Sequence, residues 1–169
     1  MIENINYKSI CIFYIGVMLL FVSCSFAQET TSEKRLTPGE IDSISPIAPV
    51  AGTSGVTGIK TRVLKGDPNG SGLYTIELTV PANTKIQSHN HPDDRVATVV
   101  SGTWYIGYGD KFDEKKLKEL PPGSFYTEPP GIMHFARTGK DPVVVMITGR
   151  GPTGTRYFDT KDDKPKKVE

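Results

Sequence analysis

Residues 84–102 read TKIQSHNHPDDRVATVVSG, and residues 123–138 read GSFYTEPPGIMHFART. These two stretches hold all three histidines of the 169-residue chain: His89, His91 and His134. His89 and His91 stand two apart at the end of a β-rich run, and residues i and i+2 of a strand project from one face. Both imidazoles can therefore reach a single point. His134 follows the tight Pro129-Pro130-Gly131 turn and opens another β-rich run. A ligating imidazole needs a fixed ring and a lone pair aimed at the ion, which rigid strands supply better than loops. Three imidazoles with open positions suit catalytic zinc or iron. A lone strand histidine is more often a core residue, but the placement of these three points to one divalent transition metal. Imidazole sites accept Fe, Zn, Ni, Cu and, less readily, Mn.

Outward from these stretches, short β-rich runs recur between turn signals. They fall at Lys60–Leu64, Leu73–Val80, Thr84–Ser88, Val96–Val100, Thr103–Tyr108, Ser124–Thr127, His134–Arg137 and Val143–Thr148. Turn signals such as Asp67-Pro68-Asn69-Gly70, Pro81-Ala82-Asn83 and Pro121-Pro122-Gly123 separate them. Many short strands at close spacing predict an all-β sandwich or barrel over residues 56–159. One charged segment, 113–120 (DEKKLKEL), is the helical candidate. Residues 28–55, rich in Thr, Ser, Pro and Gly, read as an extended, flexible arm, and residues 160–169 as a polar, disordered tail.

The two histidine stretches resemble the paired motifs of the cupin superfamily. The first motif, G-x5-H-x-H-x3,4-E-x6-G, is met by His89, His91 and Gly102, with Pro81-Ala82-Asn83 in the turn where the leading glycine usually sits. The second, G-x5-P-x-G-x2-H-x3-N, is met by Gly123, Pro129, Gly131 and His134, with Thr138 at the asparagine place. The stretch 101–113 (SGTWYIGYGDKFD) looks like that of small exported bacterial cupins. The resemblance implies a double-stranded β-helix (jelly-roll barrel), with a metal in its mouth and a small organic molecule as ligand or substrate. A homodimer is compatible with that fold class.

One motif position departs. Four residues after His91, where the motif has glutamate, stands Arg95, whose guanidinium cannot ligate a metal. The remaining three-histidine set resembles those of thiol dioxygenases and acetylacetone-cleaving dioxygenase. On that reading the chain is a metal-dependent enzyme, with a dioxygenase-type reaction in view. The alternative is a non-catalytic module that binds or senses a metal or small ligand. Arg95 has two readings: an anchor for an anionic substrate, or a rim residue paired with Asp93 or Asp94. A glutamate at position 95 would, on the motif, complete the site. Asp93 and Asp94 are candidates for a shifted carboxylate ligand. Glu128 reads as a solvated rim residue, with an acid–base role at the mouth as its rival. Trp104, Tyr105, Tyr108, Phe125 and Tyr126 divide between cavity lining and core fill.

Composition narrows the partners. The formal net charge is +1, with 37% hydrophobic and 23% charged residues, so no concentrated basic face argues for nucleic acid. Lys8 precedes the apolar run 10–22 (ICIFYIGVMLLFV), and Ser25 and Ala27 supply the small residues of a cleavage site. That pattern predicts a signal peptide over residues 1–27 and an exported protein, periplasmic or secreted. The run falls short of the roughly 20 residues of a membrane span. Lipid anchoring through Cys24 is the alternative. Both cysteines, Cys11 and Cys24, precede Gln28, so a chain cleaved after Ala27 offers neither disulfide nor thiolate ligand.

Overall fold

The computed structural model describes residues 33–47, 52–159 and 161. The predicted signal peptide, residues 28–32 and 48–51 of the arm, and residues 160 and 162–169 of the tail lie outside the described residues. Among the described residues, ten strands form two five-stranded antiparallel sheets. They are β1 (Lys60–Lys65), β2 (Leu73–Val80), β3 (Lys85–Asn90), β4 (Arg95–Ser101), β5 (Trp104–Tyr108), β6 (Lys118–Leu120), β7 (Phe125–Glu128), β8 (His134–Thr138), β9 (Val143–Arg150) and β10 (Arg156–Tyr157). One sheet runs β1-β2-β9-β4-β7 and the other β10-β3-β8-β5-β6. Neighbours far apart in sequence, such as β2 with β9 and β3 with β8, are the crossovers of a jelly roll. Among the described residues no helix is long and apolar enough to cross a membrane.

Period-two alternation builds the core. Along β9, Val143, Val145 and Ile147 are buried while Val144, Met146 and Thr148 are only partly so. Ile76 and Val80 of the same sheet join them, and Ile86, Trp104, Ile106 and Ala136 of the other sheet complete one apolar cluster. Each fully buried aliphatic side chain contributes about 1.5–3 kcal/mol, so this shared interior holds the two sheets together. Between β2 and β3 the chain turns through Asn83, with φ +55°. That left-handed conformation favours glycine, and asparagine is among the few other residues that tolerate it. The turn therefore survives without the motif's glycine.

Two local expectations are corrected. The segment 113–120 is not a helix: a single 3-10 turn, Glu114–Lys116, is capped by the Asp113 side chain, and Lys118–Leu120 then pairs with Trp104–Ile106. Burial of Leu120 and that ladder outweigh the helical propensity of a charged run too short to stand alone. The arm is not wholly extended. Thr37 and Glu40 form a reciprocal capping box that starts α1 (Pro38–Ser43), with Pro38 in its first turn. Beyond α1, the Ile47 N–H donates to the Thr61 carbonyl (2.9 Å), and Arg62 Nε donates to the Ile44 carbonyl (3.0 Å). The described arm residues from Leu36 onward belong to the same compact unit as the barrel.

Candidate metal centre

The sheet that carries β3 and β8 places two of the three imidazoles side by side, because His89 and His134 are direct ladder partners. A register shift makes this work. Ile86 faces Ala136 and His89 faces His134, so three steps on β3 oppose two on β8. Strict alternation from buried Ile86 would turn Ser88 inward and His89 outward. The bulge restores His89 to the interior, and Ser88 Oγ instead donates to the Gly109 carbonyl (2.6 Å). His91 lies just past β3. Its backbone carbonyl accepts from the Gly131 N–H (2.8 Å), which ties the first histidine pair to the turn that launches His134. Gly131 has φ +72°, a left-handed backbone conformation that favours glycine.

All three rings are buried, and one nitrogen from each lies within 4.8 Å of the others. Their outer nitrogens are fixed by backbone carbonyls: His89 Nδ1 with Gln87 (2.7 Å), His91 Nδ1 with Gly154 (2.6 Å) and His134 Nδ1 with Ile132 (3.1 Å). A carbonyl only accepts, so each Nδ1 carries the proton and each Nε2 keeps its lone pair. Nε2 of His91 and of His134 is buried without a hydrogen-bond partner. Buried unsatisfied polar atoms are costly. Two of them beside a third imidazole, on rings already locked in the ligating tautomer, fit a transition metal. Burial pushes His89 down to about 3 and His91 to about 2, and lowers His134. The neutral, ligating form is the one this interior favours.

The carboxylate of the site comes from a residue expected on the rim. Glu128 is 5% exposed and Arg95 only 2%. Alternation explains both. Arg95, Ala97 and Val99 of β4 face inward with Tyr126 and Glu128 of β7, whereas Phe125 and Thr127 face solvent. Arg95 and Glu128 are direct ladder partners. Arg95 Nε donates to Glu128 Oε2 (2.8 Å), Nη2 donates to the same oxygen, and Nη1 donates to the Gly52 carbonyl (2.6 Å). The rim pairing of Arg95 with Asp93 or Asp94 is thus corrected: its partner is Glu128. Its guanidinium is committed to Glu128 and Gly52 rather than offered to a bound anion. Glu128 Oε1 stands 3.6 Å from His134 Nε2, and Oε2 stands 3.7 Å from His91 Nε2. Burial alone would raise the Glu128 carboxyl, but the Arg95 guanidinium and the neighbouring imidazoles hold it well below the usual carboxylate range.

The other acidic candidates lie elsewhere. Asp93 is buried but accepts from Tyr74 Oη (2.6 Å) and Thr153 Oγ1 (2.5 Å), which makes it a brace between β2 and the segment before β10. Asp94 is exposed. The aromatic residues divide: Trp104 and Tyr126 face the interior, Tyr105 is half-buried, and Tyr108 and Phe125 are exposed. A cavity of about 30 Å³ adjoins His89, His134 and Glu128, with Trp104 and Tyr126 in its wall. Arm residues Gly52 and Ser54 complete that wall, held by Arg95 and by the Tyr157 hydroxyl, which donates to the Ser54 carbonyl.

The three depressed histidines make the metal-free protein acid-sensitive. A folded-state pKa below the ordinary value of about 6.5 means that the unfolded chain binds more protons once the pH falls below it. Stability is therefore fully present above about 6.5 and is lost as pH falls toward 3. Three such groups set a limiting slope of about 4 kcal/mol per pH unit. In chelator, the thermal midpoint should fall steeply between pH 6 and pH 4. A midpoint that stays flat across that interval would show that the imidazoles titrate normally.

No protein-family model matches the sequence, and none of the curated proteins matches it. Solved structures share the fold at low identity. The polyketide cyclase RemF from Streptomyces resistomycificus is similar over 78% of this chain and 91% of its own, at 18% identity and a TM-score of 0.60. A cupin 2 conserved barrel domain protein from Rhodopseudomonas palustris is similar over 76% and 87%, at 15% identity and a TM-score of 0.56. The DMSP lyase DddQ from Ruegeria pomeroyi is similar over 59% of this chain, at 20% identity and a TM-score of 0.50, and this chain spans 51% of that lyase. At such identities the likeness shows the fold and leaves the reaction open.

Proposed function

We infer that this cupin-fold chain holds one divalent transition metal on His89, His91 and His134 and acts there on a small organic molecule, with dioxygen as the co-substrate the three-histidine set suggests. The observation that carries the reading is the convergence of three buried imidazole nitrogens, two of them without a hydrogen-bond partner. A metal so held supplies a Lewis acid and a template with open positions. The chain's own residues supply the rest. The backbone carbonyls of Gln87, Gly154 and Ile132 keep the rings oriented, and the apolar interior around Ile86 and Val145 limits bulk water. Iron-loaded protein should consume dioxygen in an oxygen electrode with at least one of a panel of thiols, β-diketones and phenolic acids. His134→Ala should abolish that uptake. Silence across the panel with full metal occupancy would remove support for the dioxygenase reading.

The cavity favours a second reading. At about 30 Å³ it has room on the order of one water molecule, against about 300–1,000 Å³ for small-molecule sites. In this closed form the barrel suits a metal with a water-sized ligand, as a non-catalytic binding or sensing module would. Metal binding with full occupancy and no turnover would select it.

A further inference from the structure

Beyond the three imidazoles, we propose that Glu128 supplies the fourth protein ligand to the metal through Oε1, while Arg95 grips Oε2 and holds the carboxylate in place. The inference rests on the three-histidine reading and deepens it. Both Arg95 hydrogen bonds to Glu128 fall on Oε2, which leaves Oε1 free beside His134. Two donors each about 2.1 Å from one ion, 90–120° apart, are separated by roughly 3.0–3.6 Å. Glu128 Oε1 lies 3.6 Å from His134 Nε2, and Oε2 lies 3.7 Å from His91 Nε2. A carboxylate that only neutralised Arg95 would have no need to set Oε1 at ligand spacing from the bare His134 Nε2. The carboxylate missing from position 95 is then present after all, one strand away, on the residue that faces Arg95 across the β4–β7 ladder. The site carries one negative charge from Glu128 and one positive charge from Arg95, so it is less anionic than three histidines with an unpaired carboxylate. That balance favours a ligand that brings its own negative charge to the open positions.

Competition titration with Zn²⁺ tests the proposal in Glu128→Gln, in Arg95→Leu and in the double variant Arg95→Leu/Glu128→Gln. The double variant removes both buried charges together and so keeps the barrel folded where the single Glu128→Gln fails to fold. Affinity for Zn²⁺ should fall at least 100-fold in the double variant and in any folded Glu128→Gln, while Arg95→Leu, which keeps the carboxylate but releases its grip, should lose less than the double variant. A smaller loss is within reach of a residue that merely orients an imidazole, since such partners account for about 10–100-fold, and it would overturn the proposal. A second measurement needs no variant. Infrared difference spectra of wild-type protein carrying ¹³C-carboxylate glutamate, Zn²⁺-loaded minus metal-free, should show a coordinated carboxylate band. Its absence overturns the assignment of Oε1. Zn²⁺ retained at full stoichiometry by His134→Ala would instead sink the underlying histidine reading, which keeps the two failures distinct.

Discussion

Arg95→Ala is expected to destabilise the metal-free protein by about 3–5 kcal/mol, because removing one partner of a buried ion pair leaves the other charge uncompensated. The pair in question is enclosed on every side: Arg95 and Glu128 face each other across the ladder, and the third guanidinium contact goes to the backbone of Gly52. Arg95→Glu should be worse. It would set two carboxylates opposite one another in the interior, where the motif alone suggested that a glutamate would complete the site. Urea unfolding in the presence of chelator reads both effects directly. A change below 1 kcal/mol for Arg95→Ala would mean that Glu128 finds another partner or takes up a proton at little cost.

The second large effect concerns the metal itself. An ion present at 1,000 times its dissociation constant stabilises the fold by about 4 kcal/mol. For a domain of this size that is a rise in thermal midpoint on the order of 15 °C. Wild-type protein loaded with Zn²⁺ should show such a rise, and His89→Ala, His91→Ala and His134→Ala should each lose most of it. Metal analysis after gel filtration should find about one ion per wild-type chain and little in the variants. A triple alanine variant that still carried one ion per chain would place the site elsewhere.

Much of this architecture can be read from the chain. Strand positions follow from β-rich runs between turn signals, so β2 over Leu73–Val80 stands where that pattern predicts it. The histidine cluster follows from the H-x-H spacing and the turn before His134, both local features. What escapes a single sequence is register. Nothing within ten residues of Arg95 announces Glu128 as its partner, because the two are 33 positions apart and meet only through the β4–β7 ladder. Glu128 also follows exposed Thr127 and precedes a proline turn, a setting that reads as rim. The signal that could have placed it is its parity with Tyr126, since residues two apart on a strand share a face. In the arm, Thr37-Pro38-Gly39-Glu40 is a capping-box pattern that could have marked α1. The low-complexity surroundings masked it. The bulge at His89 is of another kind, since only the pairing of β3 with β8 reveals it.

The facing of Arg95 and Glu128 across the ladder also constrains how such a barrel could have arisen. Consider an ancestor with the two side chains exchanged, glutamate on β4 and arginine on β7. No single substitution connects that ancestor to this chain. One intermediate would confront two carboxylates and the other two guanidiniums, each inside a wall with little water to screen them. Either lineage would have to pass through a neutral residue at one position first, or cross while a bound cation masked the repulsion between two acids. The second route is open only to a protein already loaded with metal, and on that route the ion would have served as scaffold for the exchange before the present pair took over.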